Sequence, residues 1–176
     1  MKNKPVILVL AVLASTFSSF ITEVDGQPSV NRDTVILAAH EIINETTYCG
    51  LVTVDSLGQP QIRTMNPFPV KDDFVIWFAT ARTSRKVREI KNNQKVCVYF
   101  ANHLSAKGYV NINGSATVID DKELLVKMKR DYWDGIQGWQ DRFVLIKIIP
   151  RSIEVINYKH GLNNVPGTLR APTISF

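Results

Sequence analysis

Two runs, Phe74-Val75-Ile76-Trp77-Phe78 and Val96-Cys97-Val98-Tyr99-Phe100, are apolar at every position. Nothing else in the chain limits its folds so strongly. Five residues is strand length, and β-branched and aromatic residues dominate both runs. Side chains alternate between faces along a strand, so these strands need cover on both sides. One face fills an interior, and the other lies under a helix or a second subunit. With the runs included, strands are expected at Tyr48–Val54, Gln61–Phe68, Phe74–Thr80, Gln94–Asn102 and Gly108–Asp120. The last two, Phe143–Ile149 and Ser152–Asn157, are divided at Pro150, which cannot donate to a ladder. Asp55-Ser56-Leu57-Gly58 and Lys71-Asp72-Asp73 supply turns. Many short strands with tight turns and few helices predict a mainly β fold with flanking helices, closed as an antiparallel barrel.

Helical spacing appears in three places. Val35, Ile36, Ala39, Ile42 and Ile43 recur along Ser29–Thr47, Ser84–Asn92 forms a shorter helix, and Asp121 caps one running to about Asp131. The amino-terminal segment is of another kind. Lys2 and Lys4 precede the unbroken apolar run Val6–Ala14, followed by Ser15, Thr16, Ser18 and Ser19. That is the layout of a secretory signal peptide, and the run is short for a membrane span of about 20 residues. Cleavage between Gly26 and Gln27 makes residues 1–26 the signal peptide and 27–158 the folded domain. Residues 159–176 then form an irregular tail, and the expected location is secreted or periplasmic. In an exported chain Cys49 and Cys97 have access to disulfide chemistry. Both also sit in strand-like runs, where cysteine serves as a small apolar residue.

The most informative stretch is Phe78-Ala79-Thr80-Ala81-Arg82-Thr83-Ser84-Arg85-Lys86-Val87-Arg88. Ser84 is a good helix N-cap. Arg85, Lys86 and Arg88 then crowd the first turn, where the helix dipole disfavours cations by up to about 1 kcal/mol. A bound anion resolves the conflict, accepting from the free N–H groups, the hydroxyls and the cations together. The alternative is that the long side chains bend back into solvent. Arg63 lies on the preceding strand. Pairing of the second and third strands across the Lys71 turn would bring it toward Arg85 and Lys86. By itself the motif specifies an anion site and not which anion. The formal net charge of +5 suits a phosphorylated small molecule as well as a polyanion.

The order of strand, Arg63-Thr64-Met65, strand, Trp77-Phe78-Ala79-Thr80, then Ser84-Arg85-Lys86 and a helix resembles the pyridoxamine 5′-phosphate oxidase-like superfamily of split barrels. The general stress protein 26-like branch is the nearer match. The similarity runs from about Asn31 to about Tyr158 and includes Leu51–Val54, Gly58, Pro60, and Gly114 and Ala116 within Val110–Val118. The resemblance implies a split β-barrel of six or seven antiparallel strands in a Greek-key-like order. It also implies FMN, with FAD as the alternative, held at the interface of a homodimer. Carried over, Arg63, Ser84, Arg85 and Lys86 would hold the phosphate. Thr64, Met65, Ala79 and Thr80 would line the ribityl chain and ring, largely through backbone groups. Tyr109 or Asn111 would come from the neighbouring subunit, and Trp139 would cover the ring, unless it only packs the barrel mouth with Trp133. The implied function is flavin-dependent oxidoreduction on an unknown substrate. A non-catalytic flavin binder and a haem- or deazaflavin-binding barrel are the alternatives. The substrate segment of the oxidases proper has no counterpart in Asn157–Phe176.

Other chemistries find little support. His40, His103 and His160 are isolated and lack metal spacing, and no nucleophile motif accompanies them. Nucleic-acid binding needs exposed aromatics beside a basic stripe, whereas the aromatics here lie mostly inside apolar strands.

Overall fold

A computed structural model of the chain describes residues 31–176. The proposed signal peptide lies outside the described residues. Helix α1, Arg32–Asn44, starts where Asn31 accepts a hydrogen bond from the Asp33 amide at 2.8 Å. Its buried face, Val35, Ala38, Ala39, Ile42 and Ile43, joins the main apolar core. Strands β1 (Cys49–Val54), β2 (Pro60–Met65) and β3 (Ile76–Ala81) follow, then α2 (Arg85–Asn92), β4 (Lys95–Phe100) and β5 (Gly108–Ile119). Helix α3 (Lys122–Lys127), a 3-10 turn at Asp131–Gly135 and the short α4 (Trp139–Arg142) lead into β6 (Phe143–Asn157). After a second 3-10 turn at Tyr158–His160, β7 (Thr173–Ser175) ends the chain.

The strands form one antiparallel sheet in the order β2-β1-β4-β5-β6-β3, with β7 on β6. The sheet curls into a split β-barrel. Its interior holds Leu51, Phe78, Val98, Phe100, Ile112, Ile146, Ile148 and Val155, all fully buried. Burying one such side chain stabilises by about 1.5–3 kcal/mol, so this interior is the main source of stability. A second cluster, built on Leu125, Trp133, Trp139 and Leu145, covers the outer face of β3 through Trp77 and Ala79. This is the cover that the all-apolar Phe74–Phe78 run demands.

Three features differ from the sequence reading. The pairing of β2 with β3 that would carry Arg63 toward α2 does not occur: β2 pairs with β1 and β3 with β6. They are the two edges of the sheet, and the gap between them is the split. Pro150 does not divide the last strand either. Asn113 faces Ser152 and Gly114 faces Pro150, so Arg151 bulges out and β6 continues. Gly114 permits this close approach, since a Cβ there would lie 2.5 Å from the Ile149 carbonyl oxygen. Lastly, residues 159–176 run as turns that finish in β7. Glu41 anchors the start of this segment, facing Lys159 Nζ at 2.8 Å and His160 Nε2 at 2.6 Å. These two hydrogen bonds pull the Glu41 carboxyl down to about 2.

Candidate functional site

A sheet edge carries unpaired backbone N–H and C=O groups. Here two edges flank one gap and are tied together at each end. At one end the Phe68 amide, just past β2, donates to the Trp77 carbonyl of β3 at 2.9 Å. At the other end α2 spans the gap. Arg63 on β2 reaches Glu89 of α2, Nη2 to Oε2, at 2.8 Å. Lys86 of the same helix donates to Thr80 Oγ1 on β3 at 3.0 Å. Met65 and Arg63 share the inward face of β2, as Ile76, Phe78 and Thr80 share that of β3. Arg63 and Thr80 therefore project to the barrel side of the split, beneath α2.

Glu89 organises the cations. It is 4% exposed and accepts from Thr53 and from Arg63. Arg85 Nε lies 3.0 Å from its other oxygen. That approach lacks hydrogen-bond geometry, so Oε1 keeps an unsatisfied lone pair. Arg63 is held further by the Leu51 and Gln61 carbonyls, at 3.2 and 2.9 Å. The buried carboxylate answers one of three positive charges. The group formed by Arg63, Arg85, Lys86 and Glu89 therefore keeps two. Burial holds the Lys86 ammonium below the usual lysine range, and Arg63 and Arg85 push it the same way, while Glu89 opposes them.

Ser84 sits at the N-cap of α2 but its hydroxyl makes no capping bond. It faces Thr80 Oγ1 at 3.5 Å instead. The Val87 amide turns back to the Ser84 carbonyl at 3.1 Å, and the Arg85 and Lys86 amides are left open, with two hydroxyls next to them. This end of the split can hold a dianion: it offers charge, N–H donors and hydroxyl donors at one place. The side chains of Arg63, Lys86, Thr80 and Ser84 converge. Arg85, 59% exposed, flanks them from the solvent side.

The remaining residues singled out from the sequence are spread more widely. Thr64 is exposed on the outer face of β2 and Met65 is buried on the inner face. Ala79 faces the second apolar cluster, which also contains Trp139; that indole is buried and its ring lies 5.2 Å from Trp133. The structure does not bring Trp139 to the cations. Tyr109 and Asn111 lie on β5, three strand spacings from β2, or about 14 Å. Tyr109 donates to Glu154 at 2.9 Å, and burial with that contact pushes its phenol up to about 12. Cys49 and Cys97 are free, and burial pushes their thiols up to about 12 and about 11.

Glu89 and Thr53 were not legible as site residues. The only local signal for Glu89 is its i,i+4 spacing from Arg85, which reads as an ordinary surface pair. The outer face of β2, β1 and β4 forms a concavity of about 520 Å³ beside Arg63, lined by Tyr48, Gly50, Ile62, Thr64, Tyr99 and His103. Ile62 is 66% exposed there.

Comparison with known proteins agrees with this fold. General stress protein 26 from Bacillus anthracis is 29% identical over 69% of this chain and 92% of its own, with a TM-score of 0.58. A protein related to general stress protein 26 from Clostridium acetobutylicum is 15% identical, over 84% of this chain and 97% of its own, with a TM-score of 0.67. An F420 reductase is 21% identical, over 65% and 94%, with a TM-score of 0.52. The last two share the fold. No curated protein matches the chain. The family model for pyridoxamine 5′-phosphate oxidase matches residues 37–161. By its sheet order, its split and this match over most of its length, the chain belongs to the pyridoxamine 5′-phosphate oxidase family.

Proposed function

We propose that this protein binds FMN in the split and acts as a flavin-dependent oxidoreductase. The observation that carries the reading is the group of Arg63, Arg85, Lys86 and Glu89, which keeps two positive charges beside the uncapped start of α2. A phosphate monoester carries about −1.5 to −2 at neutral pH and matches that charge. Arg63, Ser84, Arg85 and Lys86 would hold the phosphate. The free edges of β2 at Thr64 and Met65, and of β3 at Ala79 and Thr80, would offer backbone groups to the ribityl chain and ring. When bound, the flavin supplies the hydride or electron chemistry. The protein's part is to orient the cofactor and screen it from water. The Glu89 carboxylate fixes Arg63, and the Thr80 hydroxyl fixes the Lys86 ammonium.

A homodimer completes this reading. The concavity beside Arg63 has an aromatic and aliphatic lining, and exposed Ile62 and Tyr48 extend it. A second copy covering that face would bring its own Tyr109 or Asn111 toward the split. Export follows from the amino-terminal layout of Lys2, Lys4 and Val6–Ala14.

Titration of the full chain with FMN, followed by quenching of flavin fluorescence, tests the cofactor. Saturable binding at one FMN per chain is expected, with FAD and deazaflavin F420 weaker. No binding of any of the three opposes the reading. Sedimentation of the same sample tests the dimer, and a monomer at micromolar concentration contradicts it.

A further inference from the structure

We infer that the cleft around Arg130 is a second ligand site, for a small carboxylic acid with an apolar skeleton. The cleft, about 300 Å³, lies where the end of α1 meets the segment between β2 and β3. Ile43, Phe68, Pro69 and Val70 give it an apolar wall, and Thr47 and Asn66 add polar groups. Arg130 is half-buried and fixed in place. Its Nη2 donates to the Asn66 and Pro67 carbonyls at 3.4 and 2.5 Å, and its guanidinium lies 4.3 Å from the Phe68 ring centroid.

Among the described residues no carboxylate answers this charge. Arg63 and Arg85 meet Glu89, and Arg82 meets Asp120. Among the described residues Arg130 has no acidic partner within 4 Å, and its Nε and Nη1 make no hydrogen bond. A planar cation held rigidly by carbonyls and an aromatic face, with donors to spare, is suited to a planar oxyanion. The apolar wall favours an acid with carbon beside its carboxylate over inorganic phosphate. The site shares no residue with the cation group at α2, so it stands whether or not the flavin reading does.

Calorimetric titration of the full chain with benzoate, benzamide and inorganic phosphate tests the site. Benzoate should bind at least tenfold more tightly than benzamide, and phosphate should not compete with it. Arg130→Met should weaken benzoate at least tenfold, Arg130→Lys less, and Lys86→Ala not at all. Equal binding of benzoate and benzamide by the unaltered chain overturns the proposal. So does benzoate binding unchanged in a folded Arg130→Met. Phosphate binding tighter than benzoate overturns the carboxylic-acid assignment. Should Arg130→Met fail to fold, the comparison of benzoate with benzamide on the unaltered chain still decides.

Discussion

The barrel interior and the α2 end of the split are both buried, yet they are built from opposite materials. The interior is aliphatic and aromatic, with Phe78, Phe100, Ile112, Ile146 and Ile148 at zero exposure. The split end holds three of the four buried polar residues of the described chain: Thr53, Thr80 and Glu89. Burying polar groups without gain is costly, and burying a carboxylate more so. The interior therefore sets stability. The split end spends stability to hold cations at fixed points, which is how a site for charged ligands is made.

Substitutions should separate the two regions. The largest effect is expected for Phe78→Ala, which opens a cavity in the interior and should cost about 3–5 kcal/mol in urea unfolding. The remaining folded protein should keep its FMN affinity. Next comes Glu89→Gln. Arg63 then loses its charge partner, and breaking a buried pair costs about 3 kcal/mol or more. A loss as small as a surface substitution's would show that the pair is not structural.

Lys86→Ala reverses the pattern. It should leave stability unchanged or raised, because the ammonium is desolvated beside two other cations. FMN binding should weaken by about 1.5–3 kcal/mol, roughly ten- to a hundredfold. The pH dependence has a definite sign. The Lys86 pKa is lower in the folded chain than in the unfolded one. Above the lowered value the unfolded state therefore holds more protons, and the stability cost fades as pH rises through it. A phosphate favours the protonated ammonium, so FMN affinity should fall over that same rise in pH. In Lys86→Ala this fall should be absent. Smallest of all is Ser84→Ala. An N-cap serine usually contributes about 1 kcal/mol, but this hydroxyl makes no capping bond. Thermal unfolding should shift by less than about 0.5 kcal/mol, with FMN binding the more sensitive readout.

The same division governs what the sequence discloses. Interior strands are legible because alternation and apolar runs are local signals, and the Ser84-Arg85-Lys86 element is legible because its charges conflict with the helix dipole. Sheet order is not, since β1 pairs with β4 across the intervening β2, β3 and α2. Residues so far apart leave no periodic trace. Glu89 is hidden for the same reason. Its burial depends on Thr53 and Arg63, which lie 36 and 26 residues away. The continuity of β6 through Pro150 depends on a glycine in another strand, and the burial of Trp139 depends on how Trp133 and Leu125 fold back over β3.

The most direct test compares FMN with riboflavin, which differs only in lacking the phosphate. Both are titrated into the full chain by fluorescence quenching, and into Lys86→Ala. The expected result is FMN binding at least a hundredfold tighter than riboflavin, with the gap narrowed at least tenfold in the variant. Equal affinity for the two flavins in the unaltered chain would contradict a phosphate site at the start of α2.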